Sequence, residues 1–569
     1  MSAETINGAR IVLETLHRLG VTDMFGYPGG AVIPIYDEIY SFPEIKHYFV
    51  RHEQGAAHAA DGYARVSGKV GVCLATSGPG ATNLVTGIMT AYMDSVPMVA
   101  ITGQVGRALI GKDSFQEADI QGITMPITKH NYLVQDIHDL PRIIKEAYFI
   151  AGTGRPGPVL IDIPKDIQTE KISMAEYNKL YDVPIQLEGY DPTYKGHQGQ
   201  IKKAATLIKN AKRPLIIAGA GVLKSSAMAE LKALAEKAQI PVANTLVGLG
   251  GFPGNHELAL GMVGMHGSVA ANNCTEDADL VIAAGIRFHD RITGHPDFFC
   301  KKAKIIHIDI DPAEIDKNVT INVPIVGDLK RVLTELNTFV EPTTHESWIA
   351  QIREWQQEYP MVVPESTHGE LHPQYVLSEL NKIAKDDAII VTDVGQHQMW
   401  AAQFLTHKAP HTIVTSGGAG TMGYGLPAAI GAQVGAPNKQ VILVVGDGGF
   451  QMTCEELMMV RQYNLPIKIV IINNGYLGMV RQWQQIFNDR RYSYVDLEVS
   501  PDFLKLADAF DLKAARFDSV ETFNKDFKSY ITSDESIVLD CRVEREDNVL
   551  PMIPAGGTVS GMMGKKGVL

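Results

Sequence analysis

One stretch, residues 441–474, restricts the possible folds of this chain more than any other. It begins with an apolar, β-branched run (441–445), continues through the glycine-rich turn 446–449, and ends with a second apolar run (467–472) and two asparagines. Apolar runs of this length predict buried strands, and the interval between them has room for one helix. The pattern therefore predicts a right-handed strand–helix–strand unit of a parallel sheet.

Polar side chains follow both predicted strands. Asp447 comes directly after the glycine that ends the first, and Asn474 closes the second. The carboxyl ends of neighbouring parallel strands lie side by side, at the edge of the sheet where ligands bind. A carboxylate and an amide could share one Mg²⁺ there, holding a diphosphate, because Mg²⁺ prefers oxygen ligands. The alternative is a turn residue and a capping pair, which are common uses of Asp and Asn.

The interval between these strands contains Thr453 and, three residues later, Glu456. This spacing is typical of a capping box, in which each side chain accepts a hydrogen bond from the backbone N–H of the other residue. It predicts that the helix of the unit starts at Thr453.

Strand and helix signals alternate throughout the 569 residues, which favours an α/β fold with parallel sheets. The length is that of several domains. We place three doubly wound parallel-sheet domains at 1–185, 195–342 and 370–569. In the first two, the clearest strand predictions are 70–75, 97–102, 158–163, 214–218, 280–284, 305–308 and 324–326.

Two passages have the composition of linkers, 168–200 and 341–372, and the second has room for one helix near 348–357. The first and third domains each contain a strand that leads into a glycine-rich turn and a helix, at 74–83 and 414–431. This similarity indicates that the two outer domains are related and flank a different central one.

Composition excludes several classes of function. The 51 basic and 64 acidic residues give a net charge of −13, which argues against a nucleic-acid-binding surface. Five cysteines without a CxxC pair argue against a disulfide framework and a zinc site. No apolar run has the length of a membrane span, and the N-terminus has no signal-peptide pattern. We therefore expect a cytoplasmic protein that binds neither membrane nor nucleic acid.

A second candidate site lies in the first domain. Glu53 follows a predicted strand and begins a predicted helix, and the turn 28–30 has two glycines that leave room beside the backbone for a ligand. Taken alone, an acid at a helix N-terminus is favoured by the helix dipole and requires no function.

Nine segments occur with the order and spacing of a known family: YPGGA, RHEQGA, TSGPGATN, DSFQEADIQGIT, GRPGPVLIDIPKD, DVGQHQMW, TSGGAGTMGYGLPAAIGAQ, GDGGFQMT and INNGYLGMVRQWQ. With them, nearly the whole chain resembles the catalytic large subunits of the acetohydroxyacid (acetolactate) synthases, in their biosynthetic, flavin-containing branch. The resemblance implies decarboxylation of pyruvate on thiamine diphosphate (ThDP) and transfer of the two-carbon unit. A second pyruvate as acceptor gives 2-acetolactate, and 2-oxobutanoate gives 2-aceto-2-hydroxybutanoate, the first common step toward valine, leucine and isoleucine.

The same resemblance implies cofactors and partners. The cofactors are ThDP, Mg²⁺ and an FAD without a redox role. The catalytic chain is expected to form a homodimer or tetramer, with Glu53 of one chain facing the diphosphate site of another. No segment after the third domain has the length of a feedback-sensing domain, so a separate small regulatory subunit is expected.

Carried over position by position, the resemblance assigns roles at the ThDP site. Glu53 matches the glutamate that activates the cofactor through its pyrimidine ring, and Met422 matches the apolar residue that keeps the cofactor bent. Asp447, Asn474 and the backbone carbonyl of Tyr476 match the Mg²⁺ ligands. The other contacts fall on Gln396, His397, Gly420, Gly446, Gly448 and Gly449 at the diphosphate, on Thr76, Pro79 and Asn83 at the pyrimidine, and on Tyr27, Gly29, Gly30, Ala31 and Gln116 near the reacting centre.

The resemblance also assigns a pocket for the second substrate. Arg291 would pair with the carboxylate of the second 2-oxoacid, a role that suits a guanidinium group. Trp483 would favour 2-oxobutanoate, with Met479 and Val480 beside it over the thiazolium ring; taken singly, these three predict only the buried face of a helix. The access channel would be lined by Phe115 and Lys165.

The central domain matches the flavin-binding part of the family. By itself it has only two glycines of a dinucleotide motif, Gly219 and Gly221, with Lys224 where the third would be. Ile286 and His289 depart from the family, which has an alanine and an acid at these places. The implied FAD contacts are Arg155, Gly219, Ala220, Gly221, Thr245, Leu246, Gly264, Met265, His266, Gly267, Gly285, Arg287, Asp290, Arg291, Asp309, Ile310 and Asp328.

Four alternatives stay open at this point. A fermentative acetolactate synthase would form the same product without FAD, and a pyruvate oxidase of the same fold would reduce its flavin. A glyoxylate carboligase would lack the acid found at Glu53. A cofactor-binding scaffold without turnover would not need Glu53, Asp447 and Asn474 together.

Overall fold

Apolar, β-branched runs form three six-stranded sheets, and in each sheet all neighbouring strands are parallel. The structure is a computed structural model that describes residues 4–567. Strands of such sheets are buried on both faces and therefore carry near-continuous apolar sequence. Helices cover both faces, as predicted, so the chain is of the doubly wound α/β class.

The first sheet has the strand order β3-β2-β4-β5-β7-β6. Its strands are β2 (Asp23–Gly26), β3 (Lys46–Phe49), β4 (Gly71–Ala75), β5 (Met98–Gln104), β6 (His130–Leu133) and β7 (Pro158–Pro164); the short strands β1 (Thr5–Asn7) and β8 (Lys171–Ser173) pair separately and antiparallel. Its helices are α1 (Gly8–Arg18), α2 (Ile33–Tyr40), α3 (Glu53–Ser67), α4 (Pro79–Asn83), α5 (Val85–Met93), α6 (Ile120–Thr124), α7 (Leu140–Gly152), α8 (Lys165–Thr169) and α9 (Met174–Tyr181).

The central sheet has the order β11-β10-β9-β12-β13-β14. Its strands are β9 (Pro214–Ala218), β10 (Val242–Asn244), β11 (Ala259–Met262), β12 (Leu280–Ala284), β13 (Lys304–Asp309) and β14 (Val323–Val326). Its helices are α10 (Gln198–Asn210), α11 (Ala220–Lys224), α12 (Met228–Ala238), α13 (Val269–Asp277), α14 (Asp290–Thr293), α15 (Leu329–Phe339) and α16 (Glu346–Glu358).

The third sheet has the order β16-β15-β17-β18-β20-β19. Its strands are β15 (Ile389–Thr392), β16 (Ile413–Val414), β17 (Val441–Gly446), β18 (Lys468–Asn473), β19 (Lys513–Phe517) and β20 (Ile537–Arg542). Its helices are α17 (Pro373–Ile383), α18 (Gln396–Phe404), α19 (Gly425–Gly435), α20 (Asp447–Gln451), α21 (Leu457–Gln462), α22 (Gly478–Phe487), α23 (Phe503–Ala509) and α24 (Val520–Thr532).

The strand orders distinguish the outer sheets from the central one. Numbered from its own first strand, each outer sheet has the order 2-1-3-4-6-5, which agrees with the predicted relation between the outer domains. The central sheet has the order 3-2-1-4-5-6 of dinucleotide-binding folds. In all three sheets, ligands are expected where the strand order reverses, beyond the carboxyl ends of the strands.

Helices α3 and α19 join the first and third domains backbone to backbone. A Cβ atom added to Gly431 would overlap the carbonyl of Ala59, and one added to Gly62 would overlap the carbonyl of Ala428. Only glycine permits this approach. One apolar core therefore extends across both domains.

The strand predictions agree with the structure and the domain boundaries stay predictions, while two local predictions were wrong. The passage 168–200 is not a plain linker, because β8 and α9 form its first part. The predicted helix does follow Thr453, as a 3₁₀ turn at 454–456 that leads into α21, but it has no capping box. The hydroxyl of Thr453 donates to the carbonyl of Gly423, and Glu456 accepts hydrogen bonds from Arg51 and His52 instead. The helix predicted within 341–372 is present as α16.

Residues 4–567 contain no helix that is both long and apolar enough to cross a membrane. The five cysteines are free, and four of them are buried. The cytoplasmic location remains a prediction.

His407 makes the stability of the fold dependent on acid pH. It is buried, its Nε2 has no hydrogen-bond partner, and burial lowers its pKa from 6.5 to about 4. Since the unfolded chain protonates first, this histidine contributes stability above pH 6.5 that is lost as pH falls toward 4, up to about 3 kcal/mol. In urea titrations at several pH values, we expect His407→Gln to gain stability relative to wild type across this window. The same substitution at exposed His368 is the control, and a parallel pH dependence of all three proteins would contradict the expectation.

Candidate functional site

A cavity of about 990 Å³ lies between the central and third domains, with a small contribution from the first. The carboxyl ends of β9, β12 and β13 face it from one side, and those of β15, β17 and β18 from the other. The strand orders reverse between β9 and β12 and between β15 and β17, so both reversal points face the cavity. The cavity therefore has a flavin half and a diphosphate half, named here for the ligands that the sequence predicts.

In the diphosphate half, Asp447 and Asn474 follow the neighbouring strands β17 and β18, whose pairing brings Gly446 opposite Ile472. Both side chains are buried and line the cavity. The predicted adjacency of the acid and the amide is therefore present.

Asp447 is an unpaired acid. Neither carboxylate oxygen has a well-formed hydrogen bond, although the N–H groups of Gly448 and Asn474 lie close enough to favour the charged form. Burial, with a smaller contribution from Asp540, raises its pKa to about 7. A buried carboxylate without a partner is costly unless a cation neutralises it. Its oxygens thus fit a bound Mg²⁺.

The described residues hold no group of three or more His, Cys, Asp or Glu side chains that could bind a metal. Such a cage is not what Mg²⁺ requires, because this ion is usually held by one or two carboxylates together with substrate phosphates. One acid, one amide oxygen and a backbone carbonyl agree with a cation that shares its coordination with a diphosphate.

Gln396 and His397 begin α18 at the same edge. His397 is buried, its Nε2 has no partner, and burial lowers its pKa to about 3, so the imidazole is neutral. The side-chain amide of Gln396 is already bound, to Asn474, Gln482 and the carbonyl of Asp547. Of the two predicted diphosphate contacts, His397 therefore has the free polar atom.

Two acids that the motifs did not single out shape the loop 416–425, which carries Met422 into the cavity. Asp393, after β15, accepts hydrogen bonds from the N–H groups of Gly423 and Gly425 at 3.2 and 2.7 Å. Asp94, from the first domain, accepts from Gly417 and Gly418 at 2.9 and 2.8 Å. An acid at a strand end could have indicated Asp393, but no sequence signal links Asp94 to a loop more than 300 residues away.

Glycines bring the backbone close to the flavin half. A Cβ on Gly219 would overlap the carbonyl of Gly285, so the turns after β9 and β12 touch. This close approach is what a dinucleotide site needs at the point where the strand order reverses. The basic groups of Arg155, Arg287 and Lys224 line the same half, and burial lowers the pKa of Lys224 to about 7.

The structure explains one departure from the family. His289 precedes α14, and its Nδ1 accepts a hydrogen bond from the N–H of Arg291 at 3.1 Å. An acid at this position would cap the helix in the same way. Ile286 is buried, and its carbonyl faces the Nε2 of His307 at 2.8 Å. Neither residue obstructs the turn that carries Arg287.

The predicted second-substrate residues meet where the two halves join. The guanidinium carbon of Arg291 lies 5.9 Å from the ring centre of Trp483, and both line the cavity. The indole Nε1 of Trp483 is buried without a partner. Met479 and Val480, on the same helix, also face the cavity. The guanidinium of Arg291 also lies 3.4 Å from the carboxylate of exposed Asp290, a pair that a substrate carboxylate could replace. An apolar floor beside this guanidinium suits a small 2-oxoacid.

The predicted pyrimidine-side residues form a separate cluster at the carboxyl edge of the first sheet. Asn83 donates a hydrogen bond from Nδ2 to Oε2 of Glu53 at 2.9 Å, and the hydroxyl of Thr76 accepts one from the N–H of Ala31 at 3.1 Å. Glu53 is 9% exposed, so its carboxyl is largely shielded from solvent. Among residues 4–567, its Oε1 has no hydrogen-bond partner. This set, the N-terminal cluster, comprises Tyr27, Gly29, Gly30, Ala31, Glu53, Thr76, Pro79, Asn83 and Gln116.

Glu456, in the third domain, fixes the start of α3, the helix that begins with Glu53. Its carboxyl accepts hydrogen bonds from the N–H groups of Arg51 and His52, directly before α3, at 3.0 Å each. The third domain thus supplies a partner to backbone groups at the helix start. Burial raises the pKa of Glu456 to about 8.

Within one chain, the N-terminal cluster does not line the cavity, and neither do Phe115 and Lys165, which are exposed. Gly264 and Gly267 flank the flavin half without lining it. The predicted residues that do line the cavity are Arg155, Gly219, Ala220, Gly221, Thr245, Leu246, Met265, His266, Gly285, Arg287, Asp290, Arg291, Asp309, Ile310, Asp328, Gln396, His397, Gly420, Met422, Gly446, Asp447, Gly448, Gly449, Asn474, Tyr476, Met479, Val480 and Trp483.

Three family models match the chain, one per domain. They are the N-terminal TPP binding domain (residues 6–123), the central domain (201–336) and the C-terminal TPP binding domain (393–541) of thiamine pyrophosphate enzymes. The two TPP-binding matches coincide with the N-terminal cluster and the diphosphate half.

Curated proteins match almost the entire chain. The chain is 48% identical over 559 residues to an acetolactate synthase large subunit of Lactococcus lactis subsp. lactis, covering 98% of this chain and 96% of the relative. It is 47% identical over 582 residues to an acetolactate synthase of Mycobacterium bovis (100% and 93%). It is 49% identical over 567 residues to an acetolactate synthase large subunit of Pyropia yezoensis (98% and 95%).

Proposed function

The chain belongs to the acetolactate synthase family of ThDP enzymes, and on this premise we propose that it joins a two-carbon unit from pyruvate to a second 2-oxoacid. The observation that carries the proposal is the pairing of Arg291 with Trp483 beside a diphosphate site at Asp447 and Asn474. With pyruvate as acceptor the product is 2-acetolactate, and with 2-oxobutanoate it is 2-aceto-2-hydroxybutanoate. The pathway served is the synthesis of branched-chain amino acids.

The polar residues of the diphosphate half fit ThDP and Mg²⁺. Asp447, Asn474 and the carbonyl of Tyr476 would hold the metal, and His397 would meet the diphosphate. When bound, ThDP supplies the electron sink that permits decarboxylation. Met422 lies in the loop 416–425, which an internal hydrogen bond from the N–H of Thr421 to the hydroxyl of Ser416 helps to hold. Its side chain would pack against the cofactor in the cavity.

The chain contributes proton transfer, orientation and exclusion of water. Glu53, held through Oε2 by Asn83, keeps Oε1 free to share a proton with the cofactor's ring nitrogen. Arg291 binds and orients the carboxylate of the acceptor. The apolar surfaces of Met422, Met479 and Trp483 exclude water, so that carbon–carbon bond formation competes with protonation.

FAD is proposed as the ligand of the flavin half. The strand order of the central sheet, the contact between Gly219 and Gly285, and the guanidinium groups of Arg155 and Arg287 support a pyrophosphate there. The flavin has no redox role in the proposed reaction, since substrates and products balance without electron transfer.

We also propose that two chains share each active site. Glu53 lies outside the cavity that holds Asp447 in its own chain, so the two halves of a ThDP site can meet only across a chain boundary or after a large rearrangement. A homodimer with two shared sites is the simplest closed arrangement. Larger oligomers and a separate small regulatory subunit remain part of this proposal.

Mixing two inactive variants distinguishes these arrangements. Glu53→Gln and Asp447→Asn chains, unfolded together and refolded, should recover activity, because a mixed dimer has both substitutions in one site and none in the other. Half of the dimers are mixed and half of their sites intact, so recovery to roughly one quarter of wild type is expected for a twofold dimer. Mixing either variant with itself is the control. No recovery would show that Glu53 and Asp447 act within one chain.

Product analysis tests the reaction itself. The purified protein is supplied with pyruvate alone and with pyruvate plus 2-oxobutanoate, with and without ThDP, Mg²⁺ and FAD. We expect 2-acetolactate in the first case and mainly 2-aceto-2-hydroxybutanoate in the second, each dependent on ThDP and Mg²⁺. Release of acetaldehyde or acetate as the main product would refute the proposal.

A further inference from the structure

The side chain of Gln482 lies directly before Trp483 on α22 but faces away from solvent, with no exposed surface. Its Oε1 accepts hydrogen bonds from the N–H of Val549 and from Nε2 of Gln396, both at 2.8 Å. Its Nε2 donates to the carbonyl of Val549 at 3.1 Å. Gln482 thus pairs with the Val549 backbone as a neighbouring strand residue would.

This pairing determines which way each amide in the site must point. The backbone of Val549 offers one donor and one acceptor, so the oxygen and nitrogen of Gln482 cannot exchange places without losing both bonds. Oε1 of Gln482 faces Gln396 and can only accept a hydrogen bond. Gln396 must therefore direct its donor, Nε2, toward this oxygen. The carbonyl of Asp547, 2.9 Å from the same Nε2, requires the same orientation.

The orientation passes from Gln396 to Asn474. Since Nε2 of Gln396 is committed, its Oε1 faces Asn474 and accepts a hydrogen bond from Nδ2 at 3.1 Å. The opposite end of this amide, Oδ1, accepts from the N–H of Tyr476 at 3.1 Å and keeps a second lone pair. The NH₂ group of Asn474 is therefore directed at Gln396, and its oxygen is the end that keeps capacity to coordinate a cation.

We infer that Gln482 is a positioning residue for the divalent cation: through Gln396 it holds the amide of Asn474 with its oxygen toward the metal. The inference rests on the proposed function, in which Asn474 is a Mg²⁺ ligand. An amide turned the other way would direct N–H groups at the cation and could not coordinate it. Partners that orient metal ligands typically contribute 10–100-fold to metal affinity.

The test measures Mn²⁺ binding by electron paramagnetic resonance on the full-length protein with saturating ThDP. For Gln482→Met we expect the Kd of Mn²⁺ to rise roughly 10–100-fold, whereas the KM for pyruvate at saturating metal stays near that of wild type. Gln482→Glu retains oxygens that accept from Gln396 and Val549 but loses the donor, and its Kd should lie between wild type and Gln482→Met. If Gln482→Met does not fold, the Kd of Mn²⁺ for Gln482→Glu tests the inference by itself.

Gln433→Met is the matched control. Gln433 is equally buried and donates to the backbone carbonyls of Ala436, Pro437 and Lys439, but it lies outside the cavity. Its replacement should lower stability and leave the Kd of Mn²⁺ unchanged. An unchanged Kd in both Gln482 variants, or an equal rise in Gln433→Met, would overturn the inference. Absence of Mn²⁺ binding by the wild-type chain would instead overturn the proposed function.

Discussion

Glu53→Gln is expected to reduce turnover by a factor of about 10²–10⁴, the usual contribution of a positioned acid–base group, without unfolding the protein. The amide has the same shape as the carboxyl, and its oxygen can still accept the hydrogen bond from Asn83. It cannot exchange a proton with the cofactor's ring nitrogen. The loss should therefore appear in kcat, measured with saturating pyruvate, ThDP and Mg²⁺.

Glu346→Gln provides the matched control, because Glu346 is also the first residue of a helix, α16, but is exposed and distant from the site. Its variant should keep wild-type kcat. Both variants should melt at nearly the temperature of the wild type, since the change in helix-dipole interaction at either position is small. Full turnover by Glu53→Gln would remove Glu53 from the mechanism and leave only its interaction with the dipole of α3.

Asp447→Asn should have opposite effects on metal binding and on the stability of the metal-free protein. It removes the one anionic ligand of the proposed Mg²⁺ site, so the loss of metal affinity should exceed the roughly 10–100-fold typical of outer-sphere partners. In the metal-free protein it removes a buried carboxylate without a hydrogen-bond partner. Such an exchange is stabilising when the charge has no counter-ion.

The pH dependence of the second effect follows from the raised pKa of Asp447. Its carboxyl titrates near 3.8 in the unfolded chain and at about 7 in the folded one, so the wild type loses stability as pH rises between these values and no further above them. In EDTA, Asp447→Asn should melt above wild type at pH 8 and at nearly the same temperature at pH 4. Asp518→Asn, at an exposed position, is the control. A lower melting temperature for Asp447→Asn in EDTA at pH 8 would mean that the carboxylate has a structural partner.

Local patterns were sufficient for the parallel-sheet architecture and for the adjacency of Asp447 and Asn474, whereas the other residues of the two half-sites were predicted from the family resemblance. The run 441–445 forms a strand that is buried on both faces of a parallel sheet, as β-branched apolar runs favour, and β17 extends the prediction by one residue. The position of Asp447 and Asn474 followed from the rule that parallel strands end at one edge. Strand β10, with three residues, was missed because so short a run shows no period.

The sequence did not predict contacts between segments that are far apart in the chain. Glu456 has the spacing of a capping box, yet its carboxyl bonds to the start of a helix in another domain, because burial there left Arg51 and His52 without other acceptors. Asp94 and Gln482 carry no motif, and their roles depend on which backbone groups the fold brings to them. His289 looked like a loss of an acid, whereas the structure shows a substitute that still caps α14.

In the proposed dimer with shared sites, helices α3 and α19 of each chain connect two active sites. Glu53 lies at the start of α3 and would belong to one site, whereas Met422 lies just before α19 and would belong to the other. Because these helices touch through the backbones of Gly62, Ala59, Ala428 and Gly431, few side chains lie between them at this contact to absorb a movement of one end. If the proposed shared sites form, a displacement of Glu53 in one site would be transmitted to Met422 in the other, and binding at one site would then change the affinity or turnover of its partner site.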